Sequence, residues 1–152
     1  MAGRNIVLDA NILIRGVLGT RVHDLVLQNA DKVSLNAPAA AFAEARRYVP
    51  ALLARRGIET SAAAAKLNAL MTLVNVIDAA SYEPWRAAAL ERIGRRDPDD
   101  WPALACALMF GCPIWTEDAD FFGTGVATWT TSRVAIFFLA HEPASDDGQE
   151  DA

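Results

Sequence analysis

Hydrophobic positions along the chain fall into short unbroken runs separated by longer periodic stretches. Ile6-Val7-Leu8 is an apolar run of strand length ending at Asp9, the pattern of a strand covered on both faces. Short helices are predicted over 12–18 and 22–30, broken near Gly19, with a second strand over 33–35. Pro38 is placed to open a long Ala-rich helix that runs to about 56 and stops at Gly57. Thr60 or Ser61 caps a helix over 62–71, 73–77 reads as a third strand, and 82–93 as one amphipathic helix. Asp97-Pro-Asp-Asp-Trp-Pro102 opens the next helix, through 103–110 to Gly111. Strands at 114–115 and 126–129 follow, then a last helix over 134–139 capped by Ser132. Strands alternating with helices give βαβ units, hence an α/β fold with a parallel sheet between helical layers. No repeat and no long linker interrupts it, so one domain over 1–141 is expected.

Charge changes that picture only at the end. The formal net charge is −5. Five of the 19 acids (Glu142, Asp146, Asp147, Glu150, Asp151) stand in the last eleven residues, and without them acids equal the 14 Lys plus Arg. The segment 142–152 is polar and aperiodic, the composition of a disordered acidic tail. The overall acidity therefore does not exclude a nucleic-acid partner for the body. No apolar stretch approaches the roughly 18–20 residues needed to span a membrane, and the N-terminus enters a strand without a signal-peptide layout. A cytoplasmic protein is expected. Cys106 and Cys112 are too few for a disulfide framework or a thiolate metal site.

The candidate chemistry lies in the acids. Asp9 ends the first strand, and Asp118 and Asp120 follow the fourth; in open parallel sheets chemistry collects beyond such carboxyl ends. Each acid also has a plainer reading. Asp9 fits an N-cap, Asp118 and Asp120 an Asx turn, Asn11 a local turn bond, and one of Asp97, Asp99 and Asp100 a cap. Glu44, on a face of small residues with Ala40, Ala41 and Tyr48, fits simple solvent exposure. Together these readings weaken, because Asp9, Asp100 and Asp118 converge at one sheet edge with Glu44 reaching in from a helix. Carboxylates gathered without cationic partners must take up protons or bind a metal, and oxygen-only ligation suits Mg²⁺ or Mn²⁺. His23 and His141 do not alter this. There is no Gly-rich phosphate loop and no Ser/His/Asp or Cys/His constellation.

Four pieces in order, Ile6-Val-Leu-Asp9-Ala-Asn11, the helical Glu44, Arg96-Asp97-Pro-Asp-Asp100-Trp-Pro-Ala-Leu-Ala105 and Thr116-Glu-Asp118-Ala-Asp120-Phe121, resemble the PIN-domain family of metal-dependent ribonucleases. The resemblance covers residues 4 to about 140. It implies a three-layer α/β/α sandwich on a parallel sheet of about five strands. Carried over by position, Asp9, Glu44, Asp100 and Asp118 are implied as catalytic metal ligands, Asp120 as an added ligand or an acid supporting one, and Asn11 and Thr116 as residues that orient the carboxylates. Asp97 and Asp99 match a variable approach to the third acid, which leaves the choice within that cluster open. Glu117 is acidic where relatives often carry a neutral or basic residue.

The implied activity is Mg²⁺- or Mn²⁺-dependent endoribonuclease hydrolysis leaving a 5′-phosphate and a 3′-hydroxyl. Many such domains are toxins of bacterial toxin–antitoxin pairs, so an RNA substrate, a protein antitoxin and a homodimer are the implied partners. Arg15 and the pairs Arg46-Arg47, Arg55-Arg56 and Arg95-Arg96 are candidates for phosphate contact, against the reading that each pair is a solvated helix face. The alternative is a non-catalytic PIN-fold module binding RNA or protein. A haloacid-dehalogenase-like phosphotransfer domain also begins with a strand ending in Asp. It needs a second acid where Asn11 stands and a downstream lysine; the lysines here, Lys32 and Lys66, follow no strand.

Overall fold

The computed structural model describes residues 4–139; the expected boundary at 141, His141 and the acidic tail lie outside the described residues. Five strands, β1 (Asn5–Leu8), β2 (Ser34–Pro38), β3 (Asn75–Ile77), β4 (Ile114–Trp115) and β5 (Thr128–Trp129), form one sheet. All neighbours are parallel, in the order β3-β2-β1-β4-β5. Eight α-helices connect or flank them: α1 (Ala10–Leu18), α2 (Arg21–Asn29), α3 (Ala39–Arg55), α4 (Ser61–Leu73), α5 (Ala79–Tyr82), α6 (Arg86–Ile93), α7 (Trp101–Phe110) and α8 (Val134–Leu139).

Alternation along the strands sorts the core into two halves. Ile6 and Leu8 of β1, Leu35 and Ala37 of β2 and Trp115 of β4 face the helices α1 to α4 and α8. Val7 and Ile114 face α5 to α7. Both faces of the sheet are therefore covered, which makes the molecule a three-layer α/β/α sandwich, and every residue of Ile6–Leu8 is at most 1% exposed. Within the second face Asn36 forms a polar rung. It donates to Asn5 Oδ1 (3.1 Å) and accepts from Asn75 Nδ2 (3.1 Å), so three neighbouring strands share one satisfied amide chain that penalises a register slip. Trp115 is fully buried, donates from Nε1 to Thr131 Oγ1 at 3.1 Å and meets Phe138 edge-on.

The elements depart from the sequence reading mainly at their ends. β2 runs later, to Pro38, because the buried pattern continues through Asn36, Ala37 and Pro38. The single helix expected over 82–93 is broken into α5, a 3₁₀ turn at Glu83–Trp85, and α6. Pro84 supplies no N–H, so the hydrogen bond that a continuous helix would make there is missing. α4 takes Leu73 from the expected third strand. α7 starts at Trp101, whose ring packs on Tyr82 (5.5 Å) and under the Arg86 guanidinium (5.0 Å); those contacts fix the turn just before it. The last helix opens on the Thr130 carbonyl, which accepts from Arg133 and Val134, while Ser132 pairs with the Thr130 hydroxyl.

Candidate active site

Strand order reverses at β1: the chain leaves it toward β2 and β3 and returns on its other side as β4. Such a switch point opens a crevice beyond the carboxyl ends of the two strands. Asp9 follows β1 there and Thr116 follows β4.

Asp9 does cap α1, accepting from the Ala10 amide at 2.8 Å through Oδ1. Its other oxygen is held by Asn11 Nδ2 (2.8 Å) and Thr116 Oγ1 (2.8 Å). The cap and the site are thus one arrangement, and Asn11 and Thr116, the residues implied as orienting, both bond this carboxylate. Burial, above all, raises the Asp9 carboxyl to about 6; the Thr116 and Ala10 bonds oppose that rise, and the charges of Asp118 and Glu44 add to it. Thr116, buried, also accepts the Asp118 amide at 2.9 Å, and Asn11 Oδ1 accepts the Glu117 amide at 3.3 Å.

Two further turns bring in the other acids. Asp97 caps the 3₁₀ turn Pro98–Asp100 by accepting from Asp99 N at 3.1 Å. Asp118 caps the turn Ala119–Phe121 by accepting from Asp120 N at 2.9 Å. Asp100 stands at the N-cap of α7 yet makes no side-chain capping bond. Its Oδ2 is buried without a hydrogen-bond partner among the described residues. Burial first, then the Asp9 charge, the contact with Asp118 and the charge of Asp97 push the Asp100 carboxyl up to about 8.

One carboxylate oxygen from each of Asp97, Asp100, Asp118 and Asp120 lies within 4.8 Å of the others. Asp100 also lines, with Asp9, Glu44 and Asp99, a narrow cavity of about 30 Å³, room for a water-sized occupant. Glu44 and Ala40 project into it from α3, where Ala40 and Ala41 leave space for the longer side chain. Outside it a cleft of about 950 Å³ continues along α3 past Arg47 and Tyr48, with Asp97, Asp99 and Asp100 on its other wall. The four acids implied as ligands therefore share one site. The tightest group differs from that set: it includes Asp97 and Asp120 and sets Asp9 and Glu44 to one side. The sequence left open which of Asp97, Asp99 and Asp100 belongs with the ligands; the cluster takes in Asp97 and Asp100, while Asp99 lines the narrow cavity.

The arginines separate. Arg47 lines the outer cleft. Arg46 lies against Met71 Sδ and the groove between α3 and α4, and Arg96 donates to backbone carbonyls of the Asp120 loop; neither lines the acidic cavity or its outer cleft. Arg15, Arg55, Arg56 and Arg95 are exposed. Glu117 accepts the Thr131 amide at 2.7 Å, which ties its charge to the turn before α8.

All the gathered donors are carboxylate oxygens, and the orphaned Asp100 Oδ2 lacks a counterpart that a hard cation would supply. The residues fit Mg²⁺ or Mn²⁺.

The sequence profile described as PIN domain matches residues 7–138. Among solved structures, the chain is similar to PAE2754 from Pyrobaculum aerophilum, at 17% identity and TM-score 0.69 over 91% of each chain. It is also similar to VapBC2 from Rickettsia felis bound to a DNA fragment from their promoter, at 12% identity and TM-score 0.61 over 83% of this chain and 98% of that one. At these identities the likeness is one of fold. No curated protein matches it in sequence.

Proposed function

The chain belongs to the PIN-domain family, and from that premise we propose that it is a Mg²⁺- or Mn²⁺-dependent endoribonuclease acting as the toxin of a toxin–antitoxin pair. The observation that carries this reading is the buried, unpartnered Asp100 Oδ2 among carboxylates from the turn before α7 and the turn after β4. A protein gains nothing in stability from such a group, so it is kept for a ligand of opposite charge. Asp97, Asp100, Asp118 and Asp120 would hold the ion, with Asp9 and Glu44 on the wall facing the narrow cavity. When bound, the ion would offset charge on the attacked phosphate and make water acidic enough to serve as nucleophile near neutral pH.

The chain's own residues do the rest. Thr116 and Asn11 fix the Asp9 carboxylate before substrate arrives, so no reorganisation is needed during the reaction. Arg47 stands in the outer cleft where the phosphates of a bound strand would pass, and its charge moderates the acidic walls. Hydrolysis in such a site leaves a 5′-phosphate and a 3′-hydroxyl. Uncontrolled RNA hydrolysis is hazardous to its host, which is the reason to assign a protein antitoxin as partner; VapBC2, the R. felis neighbour, was itself solved on promoter DNA.

The test is cleavage of RNA by the purified chain with Mg²⁺ or Mn²⁺, with and without EDTA, beside Asp9→Asn. Metal-dependent cleavage lost in the variant supports the nuclease. Ion binding with no cleavage of any RNA tried would replace it with a non-catalytic binding module.

A further inference from the structure

The four carboxylates within 4.8 Å of one another come from two separate segments, Asp97 and Asp100 before α7, Asp118 and Asp120 after β4. Sheet hydrogen bonding cannot set their spacing, because β4 ends at Trp115 and α7 begins at Trp101. Two arginines bridge the gap. Arg96 Nη1 donates to the carbonyl of Asp120 at 2.9 Å and also to that of Phe122. Arg92, one helical turn earlier, donates from Nη1 to the Thr124 carbonyl at 2.8 Å.

The receiving loop is shaped for this approach. Gly123 and Gly125 have φ of +83° and +88°, which side chains rarely adopt. A Cβ at Gly123 would stand 3.1 Å from Arg96 Nη2, and one at Gly125 only 2.7 Å from Arg92 Nη1. Phe121, between the ligand-bearing turn and these glycines, is fully buried, so the loop is anchored in the core and held from outside. Arg96 adjoins Asp97 in the chain, and the amides of both bond the Ile93 carbonyl. The guanidinium and a candidate ligand thus ride one turn. Neither arginine forms an ion pair with a carboxylate among the described residues. Their hydrogen bonds go to neutral carbonyls, so they act on geometry.

We propose that Arg92 and Arg96 are positioning residues that clamp the Asp118–Asp120 turn against the Asp97–Asp100 turn and so set the affinity of the acidic cluster for a divalent ion. This rests on the metal-binding reading above. It assigns Arg96 a different task from the phosphate contact the sequence suggested.

The experiment is calorimetric titration of MnCl₂ into the full chain, with amide hydrogen exchange of residues 119–125 followed in the absence of metal. Arg96→Ala is expected to weaken Mn²⁺ binding on the order of 10- to 100-fold, the loss typical when a partner that orients ligands is removed, and to speed exchange in the loop. Arg96→Lys, with a compact ammonium and freely rotating donors in place of the planar fork, recovers part of the affinity. Gly125→Ala keeps both arginines but crowds the Arg92 guanidinium; it weakens binding too and decides the matter should Arg96→Ala fail to fold. Arg21→Ala, on α2, binds Mn²⁺ as the parent does. The clamp is overturned if folded Arg96→Ala or Gly125→Ala binds Mn²⁺ as tightly as the parent chain. A parent chain that takes up no Mn²⁺ removes the metal-binding reading itself and the clamp with it.

Discussion

Thr116 Oγ1 donates to Asp9 Oδ2 across 2.8 Å, joining the carboxyl ends of β4 and β1 where the strand order reverses. The same oxygen accepts the Asp118 amide at 2.9 Å. One buried hydroxyl therefore places two carboxylates that stand 109 residues apart in the chain.

Thr116→Val keeps the shape and removes that hydroxyl. The Asp9 carboxyl loses a bond that opposes its upward shift, and the Asp118 amide loses its acceptor. We expect a loss of stability of about 1–3 kcal/mol, the cost of leaving buried polar groups unpaired. Mn²⁺ affinity should fall roughly 10- to 100-fold. Thermal denaturation and calorimetric titration check the two effects separately.

Stability without metal should depend on pH in a definite direction. In the unfolded chain both aspartates return to about 3.8, whereas folding raises Asp9 to about 6 and Asp100 to about 8. The folded state therefore binds more protons than the unfolded state across that window. Stability is greatest below the unfolded value and falls as pH climbs from about 4 to about 8. Melting temperatures of the EDTA-treated protein should decline over this range. Saturating Mg²⁺ should flatten the decline, because the ion replaces the protons and releases them.

Asp100→Asn isolates the group most strongly shifted. It removes the charge but keeps the size, so the EDTA-treated variant should melt higher than the parent at pH 8 and lose the upper part of the pH slope. Ion binding should weaken by more than about a hundredfold, beyond the loss seen for residues that only orient ligands. A metal-free variant that melts lower than the parent at pH 8 would count against the charge crowding described here.

Arg47 and Arg46 are neighbours in sequence and part ways in space, one on the outer cleft and the other against Met71. Arg47→Ala should weaken binding of single-stranded RNA and reduce the slope of log affinity against log salt by about 0.7, one phosphate contact's share. Arg46→Ala should leave that slope unchanged and cost a little stability. Filter binding across a salt series measures both.

Much of this was legible in the chain. Ile6-Val7-Leu8 running into Asp9, and Ile114-Trp115 running into Thr116 and Asp118, carry the parallel sheet and its switch point in their pattern. The broken helix over 82–93 was hidden because its apolar spacing continues across Pro84, and only the missing N–H interrupts it. The choice among Asp97, Asp99 and Asp100 stayed open in the sequence because a carboxylate has two oxygens and can cap with one while presenting the other. The part played by Arg92 and Arg96 was not legible because their acceptors are backbone carbonyls 32 and 24 residues on, and no side-chain pattern marks a carbonyl. The glycines at 123 and 125 were the available signal. Asn36 lay beyond the strand predicted over 33–35, and its place in β2 is clear only with Asn5 and Asn75 beside it.

The measurement that bears most directly on the whole account is the titration of Mg²⁺ and Mn²⁺ into the purified chain, repeated with Asp100→Asn and Asp118→Asn. The account predicts saturable binding with proton release in the parent and its loss in both variants, with the fold intact by circular dichroism. Failure of the parent to bind either ion, or undiminished binding in both variants, would contradict it.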